Sequence, residues 1–430
     1  MNDAASPTPS EFQRFALGVA ALALLMNALA RGMIDAFAVF VLPLSETFGW
    51  SRADISLGYA VYMLAYGLVS PFVGMIFDRL GLRATWLIGT ITLGTGFGLA
   101  SQMTQLWQFY LLVGLSSGIG MACLGMVTAS ALISRWFRRE LSSVMSVVYA
   151  GMGLGMLAIV PSLQWLVGQW GWQSGYLGLA ALMWVFVPLF VAVLPMRRMS
   201  QGSEAIQSAP KPPPSRSGAD WSLRNVWQHS AFWGLFGVFF FTTACVYAVV
   251  PQCVAYLVEH GIAPLAAATA YGLTGTLSVV GMLGMGWLSR RVGERRAATL
   301  SYTSTILGIV SLAVVAVDAR MLWVYGFVVF FGSNQGARGP MVATVAARLF
   351  AGKGFSGIYG AMTTGLGLGG ALGSYASGWL HDFTQGYNAS FAMAIGLALC
   401  GLLPFWFMPA LRSATEVPAA ATPATEAAKA

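Results

Sequence analysis

Charge is what this sequence has least of. Asp, Glu, Lys and Arg together make up 9% of its 430 residues and hydrophobic residues 57%, where a soluble domain carries about 25% charged residues. That shortage excludes a soluble protein of this length and defines a membrane protein. In absolute number cysteine is rarer, at four, and histidine numbers three. Cys123, Cys245, Cys253 and Cys400 form no close pair, and His229, His260 and His381 stand singly at the ends of apolar runs. Neither a disulfide framework nor a metal site is expected. No nucleophile or cofactor constellation is present either, so an enzyme is not expected, and glycine runs such as GLGLGGALG follow no strand that would make them dinucleotide motifs. The opening MNDAASPTPSEFQR lacks a basic n-region and a small-residue cleavage site, which makes the first apolar run a retained span.

What is abundant is long apolar sequence. Runs of more than about 18 such residues can each cross a bilayer, and they recur at roughly 15–44, 53–78, 84–101, 106–137, 141–167, 173–195, 230–258, 264–291, 297–317, 320–350, 354–381 and 387–411. Their continuous hydrophobicity selects helices, because barrel strands are short and alternate in polarity. The fold class expected is an all-α membrane protein of twelve transmembrane helices in two six-helix repeats. Residues 1–14 form an N-terminal tail, 15–195 the first bundle, 196–229 a linker, 230–411 the second bundle and 412–430 a C-terminal tail. The linker, RRMSQGSEAIQSAPKPPPSRSGADWSLR, is polar and rich in Pro, Ser and Gly.

Basic residues set the orientation, since Lys and Arg in short loops stay cytoplasmic. With the N-terminus inside, 19 of the 23 fall in inner segments, Arg52 and Arg320 fall outside, and Arg31 and Arg338 lie within spans. Both termini are therefore expected in the cytoplasm, with the chain a monomer in the plasma membrane, the inner membrane of a bacterium. The formal charge of +8 follows from this topology, and its scatter over many short loops excludes nucleic acid as a partner.

The halves repeat each other. GMIFDRLGLR follows the second span, and GWLSRRVGER follows the eighth, 212 positions later. Gly74 registers with Gly286, Arg79 with Arg291, Gly81 with Gly293 and Arg83 with Arg295. SRWF ending at Phe137 parallels ARLF ending at Phe350, and GWQSGY from Gly171 parallels GYNASF from Gly386. Parallel repeats of six spans are the plan of a class of secondary transporters whose site lies between the halves near the midplane.

GMIFDRLGLR resembles the loop signature of the major facilitator superfamily between its second and third spans. WFRRELSSVMSVVYAG, residues 136–151, and NALARGMIDAFAVF, residues 27–40, are similar to the monocarboxylate transporter branch, a neighbourhood that includes bacterial oxalate/formate exchangers. The resemblance covers the chain outside its tails and linker. It implies a central cavity lined by the first, fourth, seventh and tenth spans. Two departures matter. Monocarboxylate transporters carry a lysine at the position of Asp35 and an arginine in the eighth span, yet here the eighth span has no charge; oxalate exchangers use basic residues in the eighth and eleventh, and here only Lys353 stands at the edge of the eleventh. The charged site has been rebuilt elsewhere.

Helical rise, at about 1.5 Å per residue, locates it. Arg31 lies roughly 20 Å below the outer end of its span and Arg338 roughly 25 Å below the outer end of its own, so both are near the midplane. Buried charge there is costly and marks a candidate site. Asn27, Arg31 and Asp35 share a stripe at intervals of four, as do Asn334 and Arg338. Pro340 cannot bond back to the Gly336 carbonyl, which predicts a bend beside Arg338. Tyr59, Tyr62 and Tyr66 lie on one face of the second span and, with Tyr149, Tyr247, Tyr271 and Tyr359, either close over a ligand or pack the core. The substrate-binding candidates are Arg31, Arg338, Asn27, Asn334 and Tyr66. Asp35, the one acidic residue deep in any span, is the candidate proton carrier, since Glu259 sits near a span end. An Arg31–Asp35 pair that serves packing alone is the alternative.

Two arginines and one aspartate leave a net positive cavity, which suits an anion, and guanidinium forks match carboxylates. The expected function is secondary active transport of small carboxylates coupled to protons, with no cofactor. An exporter of amphipathic compounds and a non-transporting sensor on a carrier fold are the alternatives. Asp78, Arg79 and Arg83 form a candidate cytoplasmic gate, asymmetric because Arg290 replaces Asp78 in the second copy.

Overall fold

Gly81 and Gly293 occupy the same place in the two sequence repeats, and in the computed structural model both adopt left-handed φ, at 79° and 86°. A side chain resists that conformation and glycine does not. The structure describes residues 9–137, 141–201, 223–350, 355–409 and 411. Residues 1–8 and 412–430, the middle of the linker, Arg138, Arg139 and Lys353 lie outside the described residues.

Ten helices carry the fold: α1 (Pro9–Asp35, continued by Phe37–Phe48), α2 (Arg52–Ala100), α3 (Leu106–Phe109 through to Met126–Ser134), α4 (Leu141–Pro188), α5 (Ser230–Val249, then Cys253–Glu259), α6 (Pro264–Val292), α7 (Glu294–Val314), α8 (Met321–Phe327, then Arg338–Leu349), α9 (Phe355–Thr384) and α10 (Asn388–Phe407). No strand occurs among the described residues. Every predicted span falls on helix. α2 and α4, of 49 and 48 residues, each carry two spans in arms that bend at Gly81 and Gly171; straight, each would measure roughly 70 Å, far beyond a bilayer. Eight helical stretches among the described residues are long and apolar enough to cross a membrane. α8 is interrupted and α9 is diluted by glycine, which keeps both out of that set. Exposed Leu68, Phe72, Leu283 and Phe383 give the bundle an apolar exterior, as a lipid-facing surface requires.

Small residues set the packing distances. A Cβ on Gly155 would collide with the Ala28 carbonyl, so α1 lies directly on the first arm of α4. Two large contacts join the halves, the first arm of α2 against α9 and the first arm of α4 against α6, and a smaller one sets Phe37–Phe48 of α1 against the Val250–Glu259 part of α5. At the second, a Cβ on Gly153 would strike the Gly275 carbonyl.

The first, fourth, seventh and tenth spans are all discontinuous. α1 breaks at Ala36, α3 at Gly125, α5 through a 3-10 turn at Val250–Gln252, and α8 over 333–337. The predicted bend at Pro340 is therefore a full interruption. The amides of Ser333, Asn334 and Gln335 bond back to Val329, Phe331 and Gly332, and a new helix starts at Arg338.

Candidate functional site

The helix breaks place charge beside open space. Arg31 and Asp35 stand just before the break in α1 and Arg338 opens the helix after the break in α8. All three border one cavity of about 520 Å³ between the halves. Its walls come from α1, the first arm of α4, α5, α6, α8 and α9. The expected first, seventh and tenth spans are present, whereas the fourth contributes no lining residue. α3 instead packs on α2, where a Cβ on Gly118 would meet Ala65 and Tyr66.

The arginines are held differently. Arg31 Nε donates to Asp35 Oδ2 at 2.6 Å, and its Nη2 reaches Tyr247 Oη at 3.3 Å, across the boundary between the halves. Asp35 is 2% exposed and its second oxygen has no protein partner. Arg338 is buried on α7: Nε donates to Ser301 Oγ at 3.0 Å, Nη2 to the Ser301 carbonyl at 3.3 Å and to Thr305 Oγ1. Its guanidinium lies 4.1 Å from the centre of the Tyr302 ring, whose hydroxyl pairs with Thr242 at 2.6 Å. All these partners are neutral, and Nη1 has none. Arg31 is thus charge-compensated, while Arg338 keeps its positive charge in a cradle of hydroxyls and one aromatic face. Desolvating a guanidinium in this way costs several kcal/mol, which packing alone does not explain.

The remaining candidates sit elsewhere. Asn27 is buried one turn below Arg31 and donates to the Val148 carbonyl at 3.0 Å. Asn334 donates to Ser304 Oγ at 2.9 Å and the Phe330 carbonyl at 3.2 Å, tying the α8 turn to α7. Tyr66 lies beside Tyr62 with its ring tilted by 35° and the ring centres 6.4 Å apart. None of the three borders the cavity. At the Gly81 bend of α2, Arg135 donates to Asp78 at 2.7 Å within the first half, Arg79 is exposed, and Arg83 Nε is buried without a partner.

Several site residues escaped sequence reading. Ser301 and Thr305 stand four apart in SYTST of the ninth span, a polar stripe that could have drawn attention. Tyr247, one of the tyrosines expected either to close over a ligand or to pack the core, meets Arg31 across 216 positions, a pairing that no spacing signals. A second cluster ties the halves together where α2 begins. Arg52 pairs with Glu259 of α5, Asp382 of α9 accepts from the amides of Arg52 at 3.0 Å and Ala53 at 2.6 Å, and Tyr387 donates to Glu259 at 2.9 Å. The hydrogen bonds joining the halves gather at this end, with Ser374 also donating to the Ser56 carbonyl at 3.2 Å.

Helices broken beside a cavity of buried charge, in an all-helical fold with an apolar exterior, define a multi-pass membrane carrier for small molecules. The chain belongs to the Major Facilitator Superfamily, whose family model matches residues 20–354. It is 28% identical to monocarboxylate transporter 13 of Bos taurus over 380 residues, 88% of this chain and 86% of that protein. It is 27% identical over 394 residues to an uncharacterized MFS-type transporter, YcxA, of Bacillus subtilis (strain 168), covering 86% and 90%. Among solved structures the fold is similar to the nucleoside transporter NupG, with a TM-score of 0.69 at 14% identity over 91% of this chain and 98% of that one. A D-xylose-proton symporter gives 0.68 at 13%, over 94% and 100%.

Proposed function

We propose that this transporter carries organic anions bearing a carboxylate, coupled to protons, by alternating access around Arg31, Asp35 and Arg338. The observation that carries the reading is that one arginine from each half borders a single cavity containing one carboxylate. With Asp35 ionised the three groups sum to +1, and with Asp35 protonated to +2. In the empty carrier Asp35 holds Arg31; a proton on Asp35 frees that guanidinium to join Arg338 on the substrate carboxylate. Proton and anion then bind together. The monocarboxylate transporters among the relatives support the substrate class. In this reading residues 15–195 and 230–411 are the two rocking bundles, both termini are cytoplasmic in a bacterial inner membrane, and the cavity faces inward with the Arg52–Glu259 end closed. Asp78, Arg79 and Arg83 gate the opposite end, and the carrier works as a monomer. Asn27 and Asn334 hold helices in place beside the site.

An exporter of amphipathic compounds is the second reading, favoured by the largely apolar cavity wall, but it gives the uncompensated Arg338 no task. The test is uptake of a carboxylate panel into liposomes containing the purified protein, with and without an acidic exterior. Accumulation driven by the proton gradient supports the proposal. Gradient-independent flux of uncharged amphiphiles in place of acids would favour the exporter.

A further inference from the structure

We infer that the anion taken is a monocarboxylate with a bulky, mainly apolar body, and neither a short acid such as propionate nor a dicarboxylate. The inference rests on the carboxylate reading above and specifies its substrate class.

Charge limits the anion to a single carboxylate. In the loaded state Arg31, released from its 2.6 Å pair with Asp35 once that carboxyl is protonated, joins Arg338, with Ser301, Thr305 and the Tyr302 ring as the latter's neutral company, so both guanidinium groups are committed to one carboxylate. A second carboxylate would have to lie against apolar wall with no counter-charge, and an unpaired buried charge is strongly disfavoured.

Size excludes the short acids. A cavity of about 520 Å³ falls within the range that encloses ligands of drug size, about 300–1,000 Å³. Propionate would leave most of the wall in contact with water and recover little hydrophobic free energy.

The wall itself favours an adaptable apolar surface. Met145, Met152 and Met156 fall on one face of α4, at spacings of seven and four, and Met282 faces the cavity from α6. Unbranched thioethers mould to irregular shapes and make favourable contacts with rings. Phe239 and Tyr359, also cavity residues, pair edge to face with centres 6.0 Å apart. The carboxylate is held at the arginine end and the body lies along the methionines toward this aromatic pair.

Titrating the purified full-length protein with propionate, lactate, succinate, phenylacetate, 4-phenylbutyrate and the neutral 4-phenylbutyramide tests this. Each buried methylene is worth about fourfold in affinity, so 4-phenylbutyrate is expected to bind at least tenfold more tightly than propionate, with succinate and the amide weakest. Propionate or succinate binding as tightly as 4-phenylbutyrate would overturn the inference and leave the carboxylate reading standing. Binding of the amide as tightly as the acid, or of no carboxylate at all, would overturn both.

Discussion

Replacing Arg338 by lysine separates the charge of this site from its shape. The guanidinium spends Nε and Nη2 on Ser301 and Thr305 and keeps Nη1 for another acceptor. An ammonium on a flexible stem cannot hold that cradle and meet a carboxylate in the same pose. The variant keeps its positive charge, so what it loses is one charge-assisted hydrogen bond to the substrate, worth about 1.5–3 kcal/mol. Affinity is therefore expected to fall roughly tenfold to 150-fold. Isothermal titration of the best ligand measures this, with the melting temperature of the ligand-free protein as control. That temperature is expected to change little, because Lys can still donate to one hydroxyl beneath the Tyr302 face. Affinity within twofold of wild type would refute the assignment of Arg338 to the substrate.

Three further perturbations probe the frame around the site. Asp78→Asn breaks the 2.7 Å pair with Arg135 and is expected to slow transport several-fold while equilibrium binding holds; equal losses of both, by uptake and titration, would remove the gate. Arg52→Gln releases Glu259 and should open the closed end, seen as faster thiol labelling of a cysteine placed at Ser56; unchanged labelling would show that the pair does not hold the halves. Gly155→Ala forces α1 from α4 at Ala28 and is expected to cost about 1–3 kcal/mol or more, read as a lower melting temperature, and an unshifted one would contradict the close approach.

Much of this architecture was legible because membrane helices announce themselves. Apolar runs placed every long helix, though not the short ones at Met196–Gln201 and Leu223–Val226 within the expected linker, and the register of Gly81 with Gly293 anticipated two turns of the same left-handed form. The two cavity arginines were legible for the same reason, since charge in an apolar run stands out. Partners were not, because contacts between helices have no sequence period: Tyr247 meets Arg31 and Ser301 meets Arg338 only through packing. The stripe argument failed at Asn334 for a different reason. Residues 333–337 are turn and not helix, so a spacing of four no longer shares a face with Arg338. Asn27 does share the stripe of Arg31, but close packing of α4 covers it at Val148.

The central claim, that Asp35 couples a proton to the anion through Arg31, is tested most directly by ligand affinity measured across a series of pH values in wild type and Asp35→Asn. Protonation adds positive charge to the cavity, so wild-type affinity should rise as pH falls, by up to about tenfold per pH unit if one proton enters with each anion. Asp35→Asn, fixed in the neutral form, should bind at all these pH values with a nearly flat profile. The same slope in both proteins would contradict the account.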